Sequence, residues 1–207
     1  MRFPGVPLLL ACAAALLASG CAQPDIYAEP YATAEPAAFA APLPVALTVS
    51  YAKDGKPNPK RAAEIQAALA ASLTNAGAFQ PVAPAQAGGK LEITVDDVSG
   101  TPKKSMLAGF TASVGHVLVS EPEFTPQGRR TPRELQVHIS YTPATGSALD
   151  HAYANTLVTV TNNTQDPTDL VPMQDRKHAE LALVGNDLNA FAAELAKSLA
   201  PAPPASP

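Results

Sequence analysis

The sequence predicts an α/β (α+β) fold, a two-layer sandwich in which a mixed sheet of about four or five strands carries two helices on one face. Three observations predict it. Val45, Leu47, Val49 and Tyr51 alternate with smaller or polar residues, as do Leu91, Ile93 and Val95. Between these runs Ile65, Leu69 and Leu73 recur at helical spacing, which makes a strand-helix-strand unit. Next, Leu135, Val137, Ile139 and Tyr141 alternate, and a Thr- and Val-rich run over 153–161 follows after a turn short enough for antiparallel pairing. Finally, Leu181, Val184, Leu188, Phe191, Leu195 and Leu199 form a long helical stripe near the end of the chain.

In chain order, Arg2 supplies one positive charge, and residues 3–17 carry none and are rich in Leu and Ala. This pattern fits a secretory leader, and the apolar run is shorter than the roughly 20 residues of a spanning helix. Ala18-Ser19-Gly20 supplies the small residues of a cleavage site, and Cys21 follows at once. The stretch 18–21 resembles the lipobox of bacterial lipoproteins, with Ala18 where Leu is preferred. The resemblance implies cleavage between Gly20 and Cys21, a diacylglyceryl thioether on Cys21 and acylation of the new amine. Several acyl chains anchor firmly where a single chain binds only marginally. In that family an Asp after the cysteine signals retention in the inner membrane. Ala22 stands there instead, so the resemblance implies an outer-membrane address facing the periplasm. Cys12 lies too close to Arg2 for an adequate apolar run and is expected to leave with the leader. An acylated Cys21 then leaves no free thiol, which excludes disulfides and every Cys-based metal or redox motif.

The stretch 21–42 is rich in Pro and Ala without a period, and is expected to be an extended tether; 200–207 ("APAPPASP") is expected to be a disordered tail. The domain is therefore placed at 43–199. Within it, Asp54-Gly55 turns the chain, Asn58-Pro59 starts the first helix as N-cap and first residue, and Gly77 ends it. The second alternating run closes a parallel pair around that helix. Residues 106–121 are apolar, interrupted by Gly109 and Gly115, and are expected to form an irregular strand. After a turn region at 122–132 come the two antiparallel strands, a loop over 162–172, and the last helix. Asp187 and Glu194 are expected on that helix's solvent side.

Taken together, the lipobox, the Pro-rich tether and this order of elements resemble a broad group of small envelope lipoproteins, among them the lipopolysaccharide-assembly and curli-secretion types. The resemblance is one of element order, so it assigns no functional residue beyond Cys21 and implies no cofactor.

Lys and Arg number 14 against 18 Asp and Glu, for a formal net charge of −4, and the leader carries only Arg2. That balance does not point to nucleic acid. No G-x-S-x-G elbow, H-E-x-x-H, P-loop or G-x-G-x-x-G is present. The four histidines, His116, His138, His151 and His178, are scattered, although His138 and His151 fall on neighbouring strands. Asp96-Asp97 reads as a solvated strand end. The candidate contact for an anionic ligand is Lys103-Lys104 with Arg129-Arg130 and nearby Arg133, which flank the apolar segment and would meet at one end of a hairpin. The expected role is a non-enzymatic outer-membrane lipoprotein, held to the membrane by its lipid and binding a protein or other component of the envelope. The alternatives are a subunit of an oligomeric secretion or transport complex and an envelope enzyme.

Overall fold

A computed structural model of the protein describes residues 25–37, 39–99, 124–125, 128–161 and 167–199. In chain order the strands and helices are β1 (Asp25–Ala28), β2 (Leu43–Lys53), β3 (Lys56–Pro57), α1 (Pro59–Ala76), β4 (Phe79–Pro81), β5 (Gly89–Ser99), β6 (Phe124–Thr125), β7 (Gly128–Pro143), β8 (Leu149–Thr161), β9 (Val171–Met173) and α2 (Arg176–Leu199). The strands form one mixed sheet in the order β3-β2-β5-β7-β8-β1-β9, with β4 added to β2 and β6 to β7. Among the described residues the fold is thus mixed α/β, with two helices and one large sheet. Among the described residues no helix is long and apolar enough to cross a membrane.

Among the described residues the sheet has nine strands, not four or five. The four long strands, β2, β5, β7 and β8, are the ones that alternation reveals. The other five are two to four residues long, too short for a period of two to show. β2 and β5 run parallel around α1, and β5, β7 and β8 form an antiparallel meander.

The caps of α1 form as expected. The Asn58 side chain accepts from the Arg61 N–H at 3.1 Å, Pro59 is the first helical residue, and Gly77 takes the left-handed conformation at φ 77°. In the β2–β3 hairpin both turn residues have positive φ, Asp54 at 49° and Gly55 at 75°. One core cluster joins Leu91, Ile93 and Val95 of β5, Val137 and Ile139 of β7, Ile65 and Leu69 of α1, and Leu183 and Phe191 of α2.

The expected tether is part of this fold from Asp25 onward. β1 pairs antiparallel with β8 and β9, with Tyr27 opposite Val158. Ala28 is wholly buried, and Ile26, Tyr31, Ala37 and Phe39 pack on the core. After β1 the chain runs over α2. There Asn186 accepts from the Ala34 N–H (2.7 Å) and donates to the Ala32 carbonyl (3.1 Å), and Asn189 donates to the Ala34 carbonyl (3.4 Å). The Pro- and Ala-rich composition conceals these anchors because they are single residues rather than a periodic run. The expected loop over 162–172 likewise gives up Val171 and Pro172 to β9.

Both sheet edges are blunted. β9 is short and contains Pro172, which offers no N–H. The outer edge of β2 is closed by a series of local bonds. Leu43 N–H donates to the Ala78 carbonyl, while the Val45 and Tyr51 carbonyls accept from Val82 and Asn58. Between them the Gln66 carboxamide of α1 acts as a stand-in strand, accepting from Val49 N–H and donating to the Leu47 carbonyl, both at 3.3 Å. Gln66→Ala removes two bonds and bares this edge. It should cost about 1–2 kcal/mol in urea unfolding and promote self-association in sedimentation velocity. A variant as stable and as monodisperse as the parent would contradict this role.

Candidate functional site

A row of charged side chains lies partly inside the described part of the molecule. Asp97 follows Leu91, Ile93 and Val95 on the inward side of β5 and is only 1% exposed. Its carboxylate accepts from Arg133 Nε on β7 at 2.7 Å and from Arg176 Nη2 at the start of α2 at 2.6 Å. The Tyr51 hydroxyl of β2 lies 3.1 Å from Asp97 and 3.3 Å from Glu180. Glu180, also buried, accepts from Arg176 Nε at 3.0 Å and from Arg61 Nε of α1 at 2.9 Å. The chain of charges continues outward at both ends. Arg133 reaches Asp54, while Arg61 reaches Glu64, which also holds Lys177.

Signs alternate along this row: Asp54, Arg133, Asp97, Arg176, Glu180, Arg61, Glu64, Lys177. Hydrogen bonds from Ser99, then Arg133, hold the Asp54 carboxyl below its usual range. Bonds from Lys177 and Arg61 lower Glu64. Burial works against the Arg133 cation, yet its bonds to Asp97 and Asp54 outweigh burial and raise it. Burial first, then the charges of Glu180 and Asp97, push the Tyr51 phenol far up, so it remains a donor. Such an arrangement keeps every charge in place and positions five elements against one another. A shallow groove of about 100 Å³ beside it is lined by Arg61, Glu64, Ile65, Lys177 and His178. Small-molecule sites are typically several times larger.

A second polar group lies further along α2. Asp187 is 3% exposed and accepts from Asn155 Nδ2 of β8 at 2.7 Å. Burial raises its carboxyl to about 7, against the lowering effect of the Asn155 bond. The nearby Tyr153 hydroxyl is buried without a hydrogen-bond partner among the described residues. Burial, then Glu194 and Asp187, raise that phenol too. His151 Nδ1 meets Glu194 Oε2 at 2.8 Å.

Two expectations are corrected here. Asp97 is not a solvated strand end, and Asp187 is not on the solvent side of its helix. Both were detectable in principle. Asp97 and Arg133 extend the inward alternation of their strands, and Glu180 and Asp187 fall in the same helical stripe as Val184 and Phe191. His138 pairs with Ala152 and His151 with Ile139, so the two histidines point to opposite faces of the sheet. Among the described residues no group of His, Cys, Asp and Glu is placed to hold a metal.

Of the expected anionic-ligand contact, Arg129 is exposed at the start of β7. Arg130 makes a bidentate pair with Asp169 at 2.7 and 2.9 Å, and Arg133 belongs to the buried row. Lys103, Lys104 and the apolar segment 106–121 lie outside the described residues, as do Gly20, Cys21 and the tail.

No family model and no curated protein matches the chain. Among solved structures, one described as a neuraminyllactose-binding hemagglutinin homolog from Helicobacter pylori is similar at a TM-score of 0.37 and 8% identity, over 83% of this chain and 89% of that one. A Xanthomonas campestris protein of family DUF330 is similar at a TM-score of 0.31 and 11% identity, over 78% and 90%. Likenesses this distant carry no functional argument.

Asp187 gives a pH signature. Its carboxyl holds a proton in the folded protein up to about pH 7, while the unfolded chain loses it near the ordinary 3.8. Folding stability from this group therefore falls as pH climbs between those values and stays level above them. Asp187→Asn removes the titration. It should match the parent at pH 4 and exceed it at pH 8 by on the order of 3 kcal/mol in urea unfolding. An equal difference at both pH values would refute the assignment.

Proposed function

We propose that the protein is an outer-membrane lipoprotein, anchored through acylated Cys21, whose periplasmic domain acts by binding an envelope component rather than by catalysis. The observation that carries this reading is Cys21 standing directly after Ala18-Ser19-Gly20 at the end of an uncharged Leu/Ala run. Asp97, Glu180, Arg133 and Arg176 are committed to one another, so these four groups serve the structure rather than a substrate in this reading. The finer reading of the fold belongs with it: both helices form one layer over one sheet face. The shared core cluster of α1, α2 and alternate strand residues supports that, as does the Arg61–Glu180 bridge between the helices.

The test is metabolic labelling with a radioactive fatty acid, followed by membrane fractionation. The native chain should carry label and sediment with outer membranes. Cys21→Ser should lose the label and move to the soluble fraction or stay uncleaved. A labelled, membrane-bound Cys21→Ser variant would overturn the reading.

A further inference from the structure

The folding of β1 sets how far the domain can stand from its anchor. A tether over 21–42 would let the domain wander tens of ångströms from the bilayer, since even a flexible coil of this length spans roughly 25 Å on average. The strand instead begins at Asp25 and is held on both sides, by β8 and by β9. The segment that follows is fastened to α2 through Asn186 and Asn189. Resting on the reading that Cys21 is acylated, only four residue steps separate the lipid from a fixed point of the fold, a reach of about 14 Å at full extension.

From this the geometry points to a membrane-docking surface: the end of the sheet at which β1 begins lies against the lipid bilayer, with the long axis of the strands pointing away from it. Strand register defines that end. Asp25 is opposite Val160, which is opposite Arg130, so the start of β7 and the end of β8 lie beside it. Ser99 pairs with Arg133 and Lys53 with Asp97, which brings the end of β5 and the Asp54-Gly55 turn to the same side. The exposed residues here include Lys53, Lys56 and Arg129. Of the exposed carboxylates at this end, Asp54 and Asp169 hold Arg133 and Arg130 of the domain itself, and Asp25 is exposed beside them. The opposite end is the turn 144–148, "ATGSA", which carries no charge and is followed by exposed Asp150. Exposed Lys90, opposite Thr142, lies at that far end as well and holds Glu92, so the short link from residue 21 rather than charge selects the first end.

The experiment uses the full, acylated protein in vesicles of phosphatidylethanolamine and phosphatidylglycerol. Acylation consumes the Cys21 thiol, so single cysteines can be labelled. Lys56→Cys and Thr168→Cys report the docking end, and Ser147→Cys the far end. Each carries an environment-sensitive dye, with a quencher attached to the lipid headgroup. The docking-end dyes should be quenched at least threefold more than the dye at 147. A flexible linker of about ten residues inserted between Ala22 and Gln23 should abolish that contrast while leaving the protein on the vesicles. Equal quenching at all three positions in protein whose intact mass confirms the acyl chains would overturn the docking surface alone. Protein from the native host that lacks those chains would overturn the lipoprotein reading and the docking surface with it.

Discussion

A carboxylate that is almost wholly removed from water organises this fold. Burying the Asp97 charge alone would be prohibitive. It is tolerable because two guanidinium groups reach it, one from the neighbouring strand and one from the first turn of α2. The same α2 arginine then binds Glu180, which in turn draws in Arg61 of α1. The sheet and both helices are therefore registered to each other by groups that tolerate little displacement. An apolar core packs helices on a sheet in several nearly equivalent ways, whereas a row of alternating charges favours one alignment. The row lies at one end of the strands, where β2 and β5 finish and where both helices begin.

That end is also where β1 starts. The row and the strap over α2 therefore act together. The row fixes α2 to the sheet, and α2 presents Asn186 and Asn189 to the chain that connects β1 with β2. A segment with the composition of a loose linker thus becomes part of a rigid body. Under the proposed acylation of Cys21, the attachment is a short one rather than a swinging one, which is the basis of the proposed orientation toward a membrane.

Legibility in the sequence follows the length of the repeating pattern. The long strands and both helices declare themselves because apolar residues recur often enough to expose a period, and the caps of α1 follow from Asn58, Pro59 and Gly77. β1, β3, β4, β6 and β9 contribute only a few residues each, so pairing partners decide them and local preference does not. The polar cluster is hidden for a different reason. Asp97, Glu180 and Asp187 keep the inward register of their elements, but a charged residue read alone is assigned to solvent, because burial requires partners distant in sequence. Arg133 lies 36 residues and Arg176 79 residues from Asp97. Gln66 gives no signal at all, since its role depends on a strand edge left unpaired by the topology. The resemblance to an acylation signal at residues 18–21 is local and is visible for that reason.

The most direct measurement of this account is a double-mutant cycle between Asp97 and Arg176, using Asp97→Ala, Arg176→Met and the double variant in urea unfolding. If the buried row fastens α2 to the sheet, the two substitutions are strongly non-additive, with a coupling energy of about 2–3 kcal/mol. A coupling within about 0.5 kcal/mol of zero would mean that the apolar core alone holds the layers together, and the account would be wrong at its foundation.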